Sequence, residues 1–215
     1  MVDRVLRRVG VTVAYRVMHA PWSDRAPWLA RIRRLVPSSR VVEDERHCLW
    51  DTARRAWLDG AASGTSHVMV LQDDMLPTVD DFEAAIARLV TEKPHAAVSV
   101  FSIPAVLWAQ EIDYGSDFKP GWRACGPWFW GGSVVMPSAW VPGMIAACDG
   151  MAGLEPGGPP DEQIDDVRIR RWAEASKVEC AHWYPQLLEH VGAAHSLIGN
   201  PDAPFRRGLT ARTAH

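Results

Sequence analysis

Cysteine is scarce in this chain, and the four present, Cys48, Cys125, Cys148 and Cys180, form no C-x-x-C pair. That spacing excludes a zinc knuckle and a redox dithiol and leaves reduced thiols in an intracellular protein as the expectation. No run of about 18 apolar residues occurs, so no membrane-spanning helix is expected. The opening MVDRVLRRVG lacks the apolar core of a secretory signal, and the sequence reads as that of a cytoplasmic protein. A formal net charge of −3 gives no overall pull toward nucleic acid. Arginines nevertheless cluster at Arg4, Arg7 and Arg8, at Arg31, Arg33 and Arg34, at Arg168, Arg170 and Arg171, and at Arg206 and Arg207. Most such clusters are solvated helix faces. Internal repeats and low-complexity segments are missing, and the glycine-rich loops are too short to divide the chain into two domains.

What is present is the composition of a folded protein: 47% of the 215 residues are hydrophobic and 23% charged, enough for one well-cored domain. Eleven tryptophans exceed what a core of this size needs, so some are expected to serve as platforms for sugars or bases. Strand-like runs at 11–17, 40–44, 68–71 and 96–101 alternate with helical spacings at 27–36, 45–60 and 79–90. The helix at 45–60 ends on Gly60. This alternation predicts an α/β fold, a mostly parallel sheet flanked by helices in a single domain. Ligands of such sheets lie beyond the carboxyl ends of the strands, which places Arg16, Asp44, Asp73 and Asp74 around one cleft.

Asp73 and Asp74 follow the most apolar of these strands. Ionised carboxylates are costly to desolvate and repel each other, so the pair needs a compensating charge. A divalent cation carrying a substrate phosphate would provide it, since Mg²⁺ is commonly held by one or two carboxylates plus phosphate oxygens. The same two residues would also serve a turn and the N-cap of the next helix. Farther on, Gly131 and Gly132 precede a strand-like segment at 133–136, and such glycines let a backbone approach a ligand closely. A Gly- and Pro-rich loop at 153–160 leads into a helix opened by Asp165 and Asp166, where the helix dipole is expected to lower a carboxyl pKa.

In order, then, the chain carries Gln72-Asp73-Asp74, Trp130-Gly131-Gly132-Ser133, Asp165-Asp166 and, in the phrase PQLLEHVGAAHSLIG, His190. This order resembles the core of GT-A (Rossmann-like) nucleotide-sugar glycosyltransferases, and the likeness covers nearly the whole chain. It implies a GT-A-like domain over residues 1–205, with a nucleotide-sugar half at 1–104, an acceptor half at 105–205 and a tail at 206–215. It further implies Mn²⁺ or Mg²⁺ held by Asp74 with Asp73 and His190, His195 being the fallback. The donor, a nucleoside-diphosphate sugar, would be bound by Arg16, Asp44, Asp73, Gly131 and Gly132. Asp166 or Asp165 would be the general base of an inverting transfer, and Trp128, Trp130 and Trp108 would receive the acceptor.

The chain departs from the usual pattern in having Gln72 where many members carry an acid. Asp161-Glu162 doubles the second acidic motif and leaves the base assignment open. The chain is also similar to small phage-encoded glycosyltransferases associated with TET-like oxygenases. That likeness implies hydroxymethylated pyrimidine in DNA as acceptor and the host cytoplasm as location. Nothing in the sequence points to an obligate protein partner. A nucleotidyltransferase would need a phosphate-gripping loop early in the chain, and 17–37 contains none. A non-enzymatic carbohydrate-binding module would have no use for the acidic pair and late histidine in this order.

Overall fold

The apolar runs of the first hundred residues become parallel strands in the computed structural model, which describes residues 10–101, 120–124, 133–151 and 165–191. Val13–His19 (β1) pairs in parallel with Arg40–Glu43 (β2) on one side and His67–Gln72 (β3) on the other. Val68 to Leu71 are fully buried, as expected of a strand covered on both faces. Met75–Pro77 (β4), Ala97–Ser99 (β5), Gly121–Ala124 (β6), Val134–Pro137 (β7), Cys180–Tyr184 (β8) and Leu188–His190 (β9) are the other strands. The helices are Ala26–Leu35 (α1), Leu49–Ala61 (α2), Phe82–Glu92 (α3), Val141–Asp149 (α4) and Asp165–Ser176 (α5).

Seven strands form one sheet in the order β2-β1-β3-β7-β5-β8-β6, and β4 and β9 form a separate two-stranded ribbon. β1, β2, β3, β5 and β8 run in one direction, while β7 and β6 are reversed. The α/β class with a mostly parallel sheet is therefore the observed one, with an inserted antiparallel β7 separating β3 from β5. No helix among the described residues is long and apolar enough to cross a membrane.

Alternation along the strands sends side chains into two cores. Tyr15, Val17, Met69, Leu71, Val98 and Val135 meet α1 and α3 through Ile32, Phe82, Ile86 and Leu89. Met18, Val68, Val70, Val134 and Met136 meet α2, α4 and α5 through Trp57, Met144, Ile145 and Ile169. Burying side chains of this size contributes roughly 1.5–3 kcal/mol each before conformational entropy is subtracted. Gly60 does not end α2 as its type predicts. A Cβ there would stand 2.4 Å from Val68 Cγ1, so the missing side chain is what lets the helix lie against β3.

The ribbon has a direct consequence for chemistry. β4 leaves Asp74 immediately and pairs antiparallel with β9, matching Met75 with His190. The Val191 N–H closes the end by donating to the Asp74 carbonyl at 2.9 Å. Asp74 and His190, 116 positions apart in sequence, are thereby held side by side at the carboxyl end of β3.

Candidate active site

Asp73 and Asp74 stand where β3 ends, each 2% exposed. Both oxygens of Asp73 are engaged. Its Oδ1 accepts from Arg25 Nη1 at 2.8 Å. Its Oδ2 meets His19 Nδ1 at 2.8 Å and accepts the Ala20 N–H at 3.0 Å. His19 is the last residue of β1, and Arg25 directly precedes α1, so two separate segments converge on this one carboxylate.

Asp74 is held differently. Its Oδ2 lies 3.0 Å from Arg25 Nη2 and 3.2 Å from His190 Nε2. Its Oδ1 is buried and has no hydrogen-bond partner among the described residues. Burial would raise the Asp74 pKa, but His190 and Arg25 outweigh it and hold the carboxyl below its ordinary value. One buried oxygen of Asp74 is thus without a partner among the described residues.

Asp165 and Asp166 open α5 on the opposite face of the sheet. Asp165 is 1% exposed, and neither carboxylate oxygen closes a hydrogen bond among the described residues. Burial, reinforced by the charge of Asp166, pushes its pKa well above the ordinary carboxylate range, and the Gln72 amide offsets this only weakly. The influence of Gln72 places Asp165 beside the residue that precedes the Asp73-Asp74 pair. Asp166 is also raised, chiefly by burial, but its Oδ1 accepts the Val167 N–H at 2.8 Å. The expected lowering by the helix dipole is therefore overturned: desolvation is the larger effect at this helix start. Asp165, unpartnered and buried, is the better-poised base of the two.

Arg16 is not at the cleft. It lies mid-strand with its side chain on the α2 face, where Nε pairs with Asp59 Oδ2 and Nη2 donates to the Asp59 carbonyl at 3.1 Å. Strand parity is the reason, since residues 14, 16 and 18 share the α2 face and only the strand end, His19, reaches Asp73. Asp44 does lie at the strand ends, its N–H donating to the His19 carbonyl at 2.7 Å. Its Oδ1 closes the turn into α2 by accepting the N–H groups of Arg46 at 3.1 Å and Cys48 at 3.2 Å.

Gly131, Gly132, Trp128, Trp130, Trp108, Asp161, Glu162, His195 and Cys125 lie outside the described residues. Arg25 and His19, central to the geometry, carry no role in the sequence reading. Both belong to the polar stretch that directly follows the first apolar run of the sequence. Trp22 and His47, on the loops after β1 and β2, stack with ring centroids 3.7 Å apart, and Trp22 is 42% exposed.

The residues implied for Mn²⁺ or Mg²⁺ converge, but their donor atoms do not fit a divalent ion. Both Asp73 oxygens are taken by N–H donors, the Arg25 guanidinium joins the two carboxylates, and His190 Nε2 faces Asp74 rather than open space. Among the described residues no group of three His, Cys, Asp or Glu side chains is arranged to hold a metal.

No family model matches the chain, and no curated protein matches it. Among solved structures the chain is similar to A197 from STIV, at a TM-score of 0.46 and 13% identity over 83% of this chain and 84% of that one. The chain is an α/β protein with the buried carboxylates Asp73 and Asp74 at the carboxyl end of β3 and a third, Asp165, near Gln72.

Proposed function

We propose that this protein is a glycosyltransferase that moves a sugar from a nucleoside-diphosphate sugar to a hydroxyl acceptor. The observation that carries the reading is Asp165: a buried carboxylate with raised pKa, near Gln72, whose oxygens close no strong hydrogen bond among the described residues. An alcohol hardly ionises at neutral pH, so its proton must be taken as the new bond forms. A carboxylate whose pKa lies nearer neutrality is a stronger base for that step than an ordinary one.

In the proposed reaction the acceptor oxygen attacks the anomeric carbon while its proton passes to Asp165. The bond from that carbon to the diphosphate oxygen breaks, and its electron pair leaves with the nucleoside diphosphate. A single base opposite the leaving group gives inversion. Asp74 Oδ1, without a partner among the described residues, is suited to accept a hydrogen bond from a donor hydroxyl, and the exposed Trp22 on His47 offers a flat face to a nucleobase.

The narrower proposal for the acceptor is a hydroxymethylated pyrimidine in DNA, which an enzyme reaches by distorting or flipping the base. A thermal-shift panel of nucleoside diphosphates and their sugars tests the donor, because a ligand that binds the native state raises its stability with occupancy. The reading predicts a rise with one nucleotide family and its sugars. A rise with nucleoside triphosphates alone, accompanied by pyrophosphate release, would move the protein to the nucleotidyltransferases.

A further inference from the structure

Two adjacent carboxylates, each 2% exposed, repel each other and are costly to bury without a cation beside them. In this structure that cation is a side chain. Arg25 gives one terminal nitrogen to each carboxylate, at 2.8 Å to Asp73 and 3.0 Å to Asp74. A planar guanidinium is suited to such a two-pronged contact. Arg25 is itself 5% exposed. Its backbone carbonyl accepts the N–H groups of Trp28 and Leu29, both at 3.0 Å, so the helix it begins fixes its position. A divalent ion entering between the carboxylates would have to expel a buried guanidinium and leave it without its partners, which is strongly unfavourable.

We propose that Arg25 is the fixed cation of the Asp73-Asp74 pair, that it stands in the place of a divalent ion, and that nucleoside diphosphates bind this end of the sheet without a metal. Arg25 is a positioning residue: it fixes both carboxylates in place and leaves Asp74 Oδ1, which has no hydrogen-bond partner among the described residues, as the acceptor for a ligand hydroxyl. The proposal rests on the glycosyltransferase reading only for the identity of the ligand.

Two calorimetric titrations of the full chain test it. In the first, Mn²⁺ alone is added to metal-free wild type, Arg25→Lys and Arg25→Met. Wild type and Arg25→Lys should show no binding up to about 1 mM, whereas Arg25→Met, which uncovers the carboxylates, should gain Mn²⁺ binding at least about tenfold tighter. A merely structural role for Arg25 would not create a metal site. In the second, UDP and GDP are titrated into wild type in EDTA and in Mn²⁺, and the affinity of whichever binds should agree within about threefold.

Wild type that binds Mn²⁺ and loses it in Asp74→Asn overturns the proposal. So does a folded Arg25→Met chain that gains no Mn²⁺ binding, or a diphosphate affinity that rises about tenfold or more with Mn²⁺. If Arg25→Met fails to fold, the wild-type titrations decide. If neither diphosphate binds in either condition, the nucleotide-sugar reading loses its support, and the Mn²⁺ titration still decides the role of Arg25.

Discussion

Replacing Asp165 with Asn should make the protein more stable at neutral pH and nearly inactive. The carboxylate is 1% exposed, with neither oxygen hydrogen-bonded among the described residues and Asp166 adding like charge. Leaving such a group unsatisfied in the interior costs about 1–3 kcal/mol. Asn keeps the shape and removes the charge, so most of that cost is returned. For a chain of this length each kcal/mol moves Tm by roughly 2–4 °C, which puts the expected gain at about 2–12 °C. Burial raises the folded-state pKa above the unfolded one, so wild type is relatively most stable below the ordinary carboxylate pKa and loses stability as pH rises through the folded value. The advantage of Asp165→Asn should therefore be small near pH 4 and grow until it levels off above the raised pKa. Thermal melts of both proteins from acid to mildly basic pH check this. An advantage that does not change with pH, or a variant less stable than wild type at pH 8, would refute the reasoning about an uncompensated buried charge.

Other expectations follow from single contacts. Gly60→Ala puts a methyl group into Val68 and should destabilise by about 1–3 kcal/mol, read from urea midpoints, with no change in ligand affinity. Arg16→Met removes the pair with Asp59 and should lower Tm while leaving nucleotide affinity within about twofold, about 0.4 kcal/mol; a stable variant that no longer binds nucleotide would restore Arg16 to the donor site. His182 is 1% exposed, and burial, aided by Arg123, lowers its pKa to about 4. Its stabilising contribution is present above the ordinary histidine pKa and is lost as pH falls toward about 4. Replacing it with Gln should flatten the loss of Tm across that interval, and an unchanged acid profile would contradict this.

Strands with strong local composition could be read from sequence, and strands defined by their partners could not. β1 and β3 are runs of β-branched and apolar residues, and their order and parallel pairing follow from the helices between them. β4 and β9 have three residues each, too few for any period to register, and they exist because they pair with one another. α4 carries Pro and Gly near its start, which mask its apolar face even though Pro fits the first turn of a helix. The candidate site divides in the same way. Asp73, Asp74 and His190 could be picked out because acids after an apolar strand and a late histidine form a recognisable order. Arg25 could not, because it meets Asp73 across 48 residues and nothing local sets it apart from the other arginines. Arg16 was misplaced because a strand end and a strand middle differ only by the exact boundary. The pKa of the second acidic pair depends on what covers α5, which outweighs the helix dipole visible in the sequence.

The most direct measurement of the central claim is sugar transfer itself. Wild type and Asp165→Asn would be incubated with a mixture of nucleotide sugars and with hydroxymethylated DNA, glycan and small-molecule hydroxyl acceptors, and the products analysed by mass. The account predicts that one acceptor gains a hexose or pentose with wild type and that this gain is lost with Asp165→Asn. If no acceptor gains a sugar, or if both proteins transfer it equally, the claim that these carboxylates form a glycosyltransferase site is contradicted.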